Sequence, residues 1–178
     1  MLVSTGPIAL ARPGWGLKND TITSVVANDS GGYPEVLCAQ MLCGAAVSGV
    51  KVLVLLPGLR GDDPVWTTVG QLLGGGDTRV AAREMKQMRL VMYASGTGRE
   101  HVGKAELVYA PGLTPMEIDQ VAGNTSAPVL TLTDLESEIA TRISHEVIRV
   151  AGDTISVDSE GFEVPVLYDP SGPVYRPA

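Results

Sequence analysis

Aromatic residues are scarce in this chain of 178 residues: they make up 4% of it, with Phe162 the single phenylalanine. The core is therefore expected to be built from Val, Leu, Ala, Ile and Met. Cysteine is almost absent, with only Cys38 and Cys43. Five residues apart on a helix, they lie about 140° apart around the axis and share no face. A disulfide between them is not expected; two buried free thiols in a reducing compartment are. No apolar run approaches the length of a membrane span, so no transmembrane helix is expected. The first residues, MLVSTGPIALARPGWG, lack the charged n-region of a secretory leader, and proline breaks their apolar patch. A cytoplasmic location is expected. Histidine occurs twice, at His101 and His145. Neither has a second metal ligand at ligand spacing, so no metal site is expected. The sequence holds no G-x-S-x-G, no HExxH and no CxxC, which sets aside lipase-type, zinc-protease and thiol-redox chemistry. No internal repeat is found.

The charge present is unevenly placed. The net charge is −7, which argues against generic binding to nucleic acid. Residues 79–104 nonetheless carry six basic and two acidic groups, and residues 105–178 carry three basic and twelve acidic. Such a basic middle and acidic C-terminal part can hold an anion, pair with one another, or pair between subunits.

The pattern of elements is α/β. TITSVVA (21–27) is a β-branched strand ending in Asn28-Asp29-Ser30-Gly31-Gly32. Pro34 and Glu35 then open an apolar helix that stops at Ser48-Gly49. Val52 to Leu56 is an uninterrupted apolar run, as expected of a central strand covered on both faces. It ends in Pro57-Gly58, with Asp62 or Asp63 capping the next helix. Gly74-Gly75-Gly76 closes that helix, and Asp77 or Thr78 caps another up to Gln87. Strands follow at 88–94, 105–110 and 128–133. Thr114-Pro115-Met116-Glu117 is a capping box, and Asp134 is expected to cap a helix over LESEIATRISHEV. Alternation in 154–157 then announces a β-meander.

These elements predict one doubly wound, mainly parallel sheet of about five strands with helices on both faces. An extended N-terminal arm (1–20), an α/β core (21–146) and a β-rich appendage with an extended, proline-rich tail (147–178) complete it.

In such sheets ligands sit beyond the carboxyl ends of the strands. Four of the five strand ends carry glycine, which lets backbone N–H groups approach a ligand. Ser95-Gly96-Thr97-Gly98-Arg99 joins two hydroxyls and a guanidinium, the composition an anion site needs. It is no Walker loop, because no Gly-Lys-Ser/Thr follows. It is no dinucleotide fingerprint, because His101 stands where Gly or Ala is needed. Ser30 and Gly31 are added as ligand-binding candidates after the first strand. Asp29 is read as a metal or ribose-hydroxyl partner with a catalytic part, and His101 as the proton carrier with a pKa nearest neutrality. The residues specify no cofactor and no reaction.

Two functions fit. One is a domain that binds a phosphorylated small molecule or nucleotide at the carboxyl ends of its strands. The other is a non-catalytic, self-assembling structural subunit, coat- or matrix-like as in a virus or phage. It would use its extended termini and charge asymmetry for contacts. A homo-oligomer is expected, with no membrane and no nucleic-acid partner.

Overall fold

A computed structural model describes residues 2–56, 64–74, 78–94 and 99–178 of the chain. The β-branched run after the first turn is strand β3 (Ile22–Ala27), and the unbroken apolar run is β4 (Val52–Leu56). Every residue of β4 is buried. Val52, Val54 and Leu56 enter one core and Leu53 and Leu55 the other, as the period of two requires.

Among the described residues the main sheet has nine strands. Besides β3 and β4 it contains β5 (Leu90–Ala94), β6 (Leu107–Tyr109), β7 (Val129–Leu132), β8 (Glu146–Val150), β9 (Thr154–Val157), β10 (Phe162–Asp169) and β11 (Val174–Pro177). Their spatial order is β11-β10-β9-β8-β3-β7-β6-β4-β5. The stretch from β8 to β5 is parallel throughout. The three strands beyond β8 run antiparallel to their neighbours.

This corrects the expected sheet of about five parallel strands. The C-terminal meander extends the same sheet, because β8 returns to lie parallel beside β3, with Ser24 opposite Val147. Ile148, Val150, Ile155, Val157, Val164 and Val166 then face the same core as β4's first set.

Helices cover both faces. On one lie α2 (Pro34–Val47), α3 (Pro64–Gly74) and α4 (Thr78–Gln87). On the other lie α5 (Pro115–Gly123), a 3-10 turn at Arg99–Lys104 and a π turn at Ile139–Ile143. Helix α2 is buried on several sides, between the sheet, the N-terminal helix α1 (Gly6–Ala11) and α3. The capping box is present: Glu117 N donates to Thr114 Oγ1 and Thr114 N to Glu117 Oε1, both at 3.2 Å. Pro57–Asp63 and Gly75–Asp77, with their expected turns and caps, lie outside the described residues.

Two expectations change. Residues 1–20 hold helix α1 (Gly6–Ala11), flanked by β1 (Leu2–Val3) and β2 (Leu17–Lys18), which pair with each other. Gly6 and Pro7 start this helix: Gly6 takes φ +71° and Pro7 fills the first turn. Thr5 Oγ1 donates to Met41 O at 2.6 Å, and a Cβ on Gly44 would fall 2.6 Å from that hydroxyl. Val3, Ile8, Trp15 and Leu17 are buried. The helix expected after Asp134 is only the π turn. Ser137 competes for its start, accepting from Thr133 Oγ1 at 2.7 Å and from Ala140 N at 3.1 Å.

Candidate functional site

The loop after β3 is folded onto β8. Asn28 N donates to Val150 O at 2.8 Å, and Asp29 Oδ1 accepts from Gly31 N at 2.9 Å. Gly32 N reaches Asp29 O at 3.2 Å. A Cβ on Gly32 would stand 1.9 Å from Val150 O, so only glycine fits there. Asp29, Ser30 and Gly31 are exposed on this β8 side, and their turn contacts are internal.

The start of α2 offers little to an anion. Tyr33 N donates to Tyr175 Oη of β11 at 2.9 Å, Pro34 has no N–H, and Glu35 adds a negative charge in the first turn. Tyr33 stacks on Tyr168 with ring centroids 4.5 Å apart, and Tyr168 lies 5.2 Å from Tyr175. Burial pushes the Tyr175 hydroxyl up to about 12, with Tyr168, Glu35 and Tyr33 adding to the rise and the bond from Tyr33 N opposing it.

On the other side of β3 a cleft of about 450 Å³ opens at the carboxyl ends of β3, β6 and β7. Ala27 and Pro34 form one wall, Gly112 and Leu113 another, and Thr131 to Leu135 with Ile139 the third. Gly112 has φ +69°, which lets the chain turn sharply after β6. Thr131 Oγ1 is spent on Ala110 O at 2.9 Å, and Thr133 Oγ1 on Ser137. The Asp134 carboxylate stands exposed at the mouth. None of the described lining residues is Lys, Arg or His.

The residues chosen from sequence do not converge. Ser95, Gly96, Thr97 and Gly98 lie outside the described residues. Arg99 begins the 3-10 turn that carries the half-buried His101. That turn leads to the amino end of β6: Glu106 N donates to Lys51 O at 2.8 Å, and Gly103 lies against Asn124 at the end of α5. β5, which precedes it, is four positions from β3 in the sheet, or about 19 Å at the usual strand spacing. Asp29 and His101 therefore do not form one small site. His145 is structural here, its Nδ1 accepting from Ile22 N at 2.9 Å. The cleft residues Gly112, Leu113 and Ile139 were missed as a set, although Asp134 was singled out as a helix cap.

Among the described residues no group of three or more His, Cys, Asp or Glu side chains is placed to hold a metal. No described helix is long and apolar enough to cross a membrane. Cys38 is buried and Cys43 half-buried; the two are not joined in a disulfide, and burial pushes the Cys43 thiol up to about 12.

The class defined by this topology is a mixed α/β sheet, parallel at its centre, antiparallel at one end and covered by helices. Among solved structures it resembles one described as "Crystal structure of the RadB recombinase", over 100% of both chains, at 14% identity and a TM-score of 0.57. At that identity the likeness is one of fold. No family model and no curated protein matches the chain.

Proposed function

We propose that the chain binds a nucleotide, or a closely related phosphorylated small molecule, in the cleft between β3, β6 and β7, gripping its sugar and base. The observation that carries this reading is the cleft itself. It lies at the edge where α/β sheets take ligands and falls within the size range of small-molecule pockets. Its chemistry chooses the end of the ligand. Asp134 can accept from a sugar hydroxyl, Leu113 and Ile139 present apolar surface to a base, and the backbone around Gly112 offers polar edges. No described lining residue is cationic, and the α2 start is occupied by Tyr175, so the phosphates extend to solvent. Binding without turnover follows, since nothing described in the cleft neutralises charge developing on a phosphoryl group.

Calorimetry with nucleosides, their mono- and triphosphates, and orthophosphate tests this. Nucleosides and nucleotides are expected to bind with affinities within a few-fold of each other, and orthophosphate not at all. Asp134→Ala is expected to weaken binding roughly tenfold, the loss of about 1.4 kcal/mol. Absence of binding by every nucleoside, or full affinity in the Asp134 variant, overturns the reading.

A second reading, self-association of the chain, is favoured by an apolar groove on the helical face, where Leu10 and Val47 stand 75% and 66% exposed.

A further inference from the structure

The N-terminal segment closes another pocket, at the amino ends of β3 and β8 and so at the opposite edge of the sheet from the cleft. It measures about 130 Å³, room for about four waters at about 30 Å³ each. Trp15 and Leu17, both buried, form its apolar wall. Thr23 and Glu146 are register partners across β3 and β8, so their side chains stand side by side on the face that lines it. Thr23 is the residue that calls for an occupant. It is 2% exposed, and among the described residues its hydroxyl has no hydrogen-bond partner. A hydroxyl so buried is a cost to the fold unless something meets it. Valine would fill the same space without that cost.

The charged lining carries both signs. His145 Nδ1 accepts from Ile22 N, so the ring's hydrogen is on Nε2, which is a donor. Thr21 Oγ1 donates to Lys18 O at 2.6 Å and fixes the turn that carries Lys18. Lys18 Nζ lies 3.4 Å from Glu160 Oε1. Glu146 Oε1 accepts from Val147 N and Ser159 N, both at 3.0 Å, and Oε2 from Ser159 Oγ. One lone pair of Oε2 remains. A lone anion would meet Glu146 and Glu160, and a lone cation would meet Lys18. A ligand that carries both charges meets partners for each. We infer that the pocket binds a small free α-amino acid, of glycine or alanine size. Its carboxylate lies toward Lys18, His145 Nε2 and the Thr23 hydroxyl, and its ammonium toward Glu146 and Glu160. This site shares no residue with the cleft and stands independently of the nucleotide reading.

The test is calorimetry on the full chain with glycine, alanine, leucine, acetate and methylammonium. Glycine and alanine are expected to bind. Acetate and methylammonium each carry one half of the zwitterion and are expected to bind at least about tenfold more weakly. Leucine is too large and is expected not to bind. Thr23→Val keeps the side-chain shape and removes the hydroxyl. It is expected to weaken glycine about tenfold without lowering the thermal midpoint, because no protein group loses a partner. Glu160→Gln, at an exposed position, is expected to weaken glycine and leave the weak binding of acetate unchanged. Circular dichroism checks the fold of each variant, and Glu160→Gln decides if Thr23→Val does not fold. Binding by neither glycine nor alanine means a pocket for water only and overturns the site. Acetate or methylammonium as tight as glycine, or leucine as tight as alanine, overturns the ligand class. Glycine affinity unchanged in the folded variants overturns the location.

Discussion

At the scale of single residues, Gly32 shows how tightly the first loop is set. Its backbone passes so close to Val150 that a methyl group would overlap the carbonyl oxygen and approach the carbonyl carbon to 2.8 Å. Backbone cannot swing aside as a flexible side chain can. Gly32→Ala is therefore expected to cost about 2 kcal/mol or more in chemical denaturation. Gly31, its neighbour, meets nothing nearer than 3.4 Å, and alanine there is the control with a smaller effect. The two glycines are equivalent in sequence, and composition alone marks both as turn formers. Which one bears the constraint depends on a strand more than a hundred residues downstream, which no local pattern contains.

At the scale of elements, β11 is held to α2 by side chains acting as backbone. Gln40 Nε2 donates to Tyr175 O at 2.9 Å, and Tyr175 N donates to Gln40 Oε1 at 2.7 Å. The amide of Gln40 thus stands in for a neighbouring strand and blunts one edge of the sheet. The Tyr175 hydroxyl completes the join. Its folded-state value, about 12, lies above the ordinary 10.0. A group that holds its proton more tightly when folded contributes stability that is whole below pH 10 and drains away as pH rises toward 12. Wild-type stability is expected to fall across that interval in urea titrations. Tyr175→Phe is expected to flatten this slope, and at neutral pH to lose about 1 kcal/mol with the Tyr33 hydrogen bond.

The same scale shows what was legible. β4 could be read because burial on both faces erases alternation, and α5 because a capping box is a local chemical device. α1 was hidden because Gly6 and Pro7, usually breakers, here begin a helix. The π turn was hidden because Ser137, three residues on, takes the capping part expected of Asp134, its hydroxyl accepting from Ala140 N. The candidate cleft was half legible. Every strand end read from sequence belongs to a strand of the parallel run, and the cleft opens at that edge. Strand order was not written in any one segment, and it is order that sets β3, which Asp29 follows, about 19 Å from β5 and gathers Ala27, Gly112 and Thr133 instead.

At the scale of the whole molecule, the N-terminal segment is part of the core. Ile8, Trp15 and Leu17 are buried against the same cluster as α2 and β8 to β11, and Arg12 lies 4.1 Å over the Phe162 ring. Deleting residues 1–18 uncovers Met41 and the inner face of the antiparallel strands. Each large side chain that loses its cover forfeits roughly 2 kcal/mol, and few domains hold the reserve for several such losses. The truncated chain is expected to lose its cooperative thermal transition and to bind a hydrophobic dye, while the full chain does neither.

The position of β3 also governs time. It is the first strand of the main sheet to be made, yet its two partners are β7 and β8, with Ile22 beside Val129 and Ala27 beside Val150. During synthesis β3 waits, its edges open, until most of the chain has left the ribosome. The central pairing closes longer loops than any other strand pairing described in the sheet, so their entropy must be met before the sheet repays it. Folding is set to be slow and late, and the interval before β7 and β8 arrive is when this chain is most exposed to misassociation.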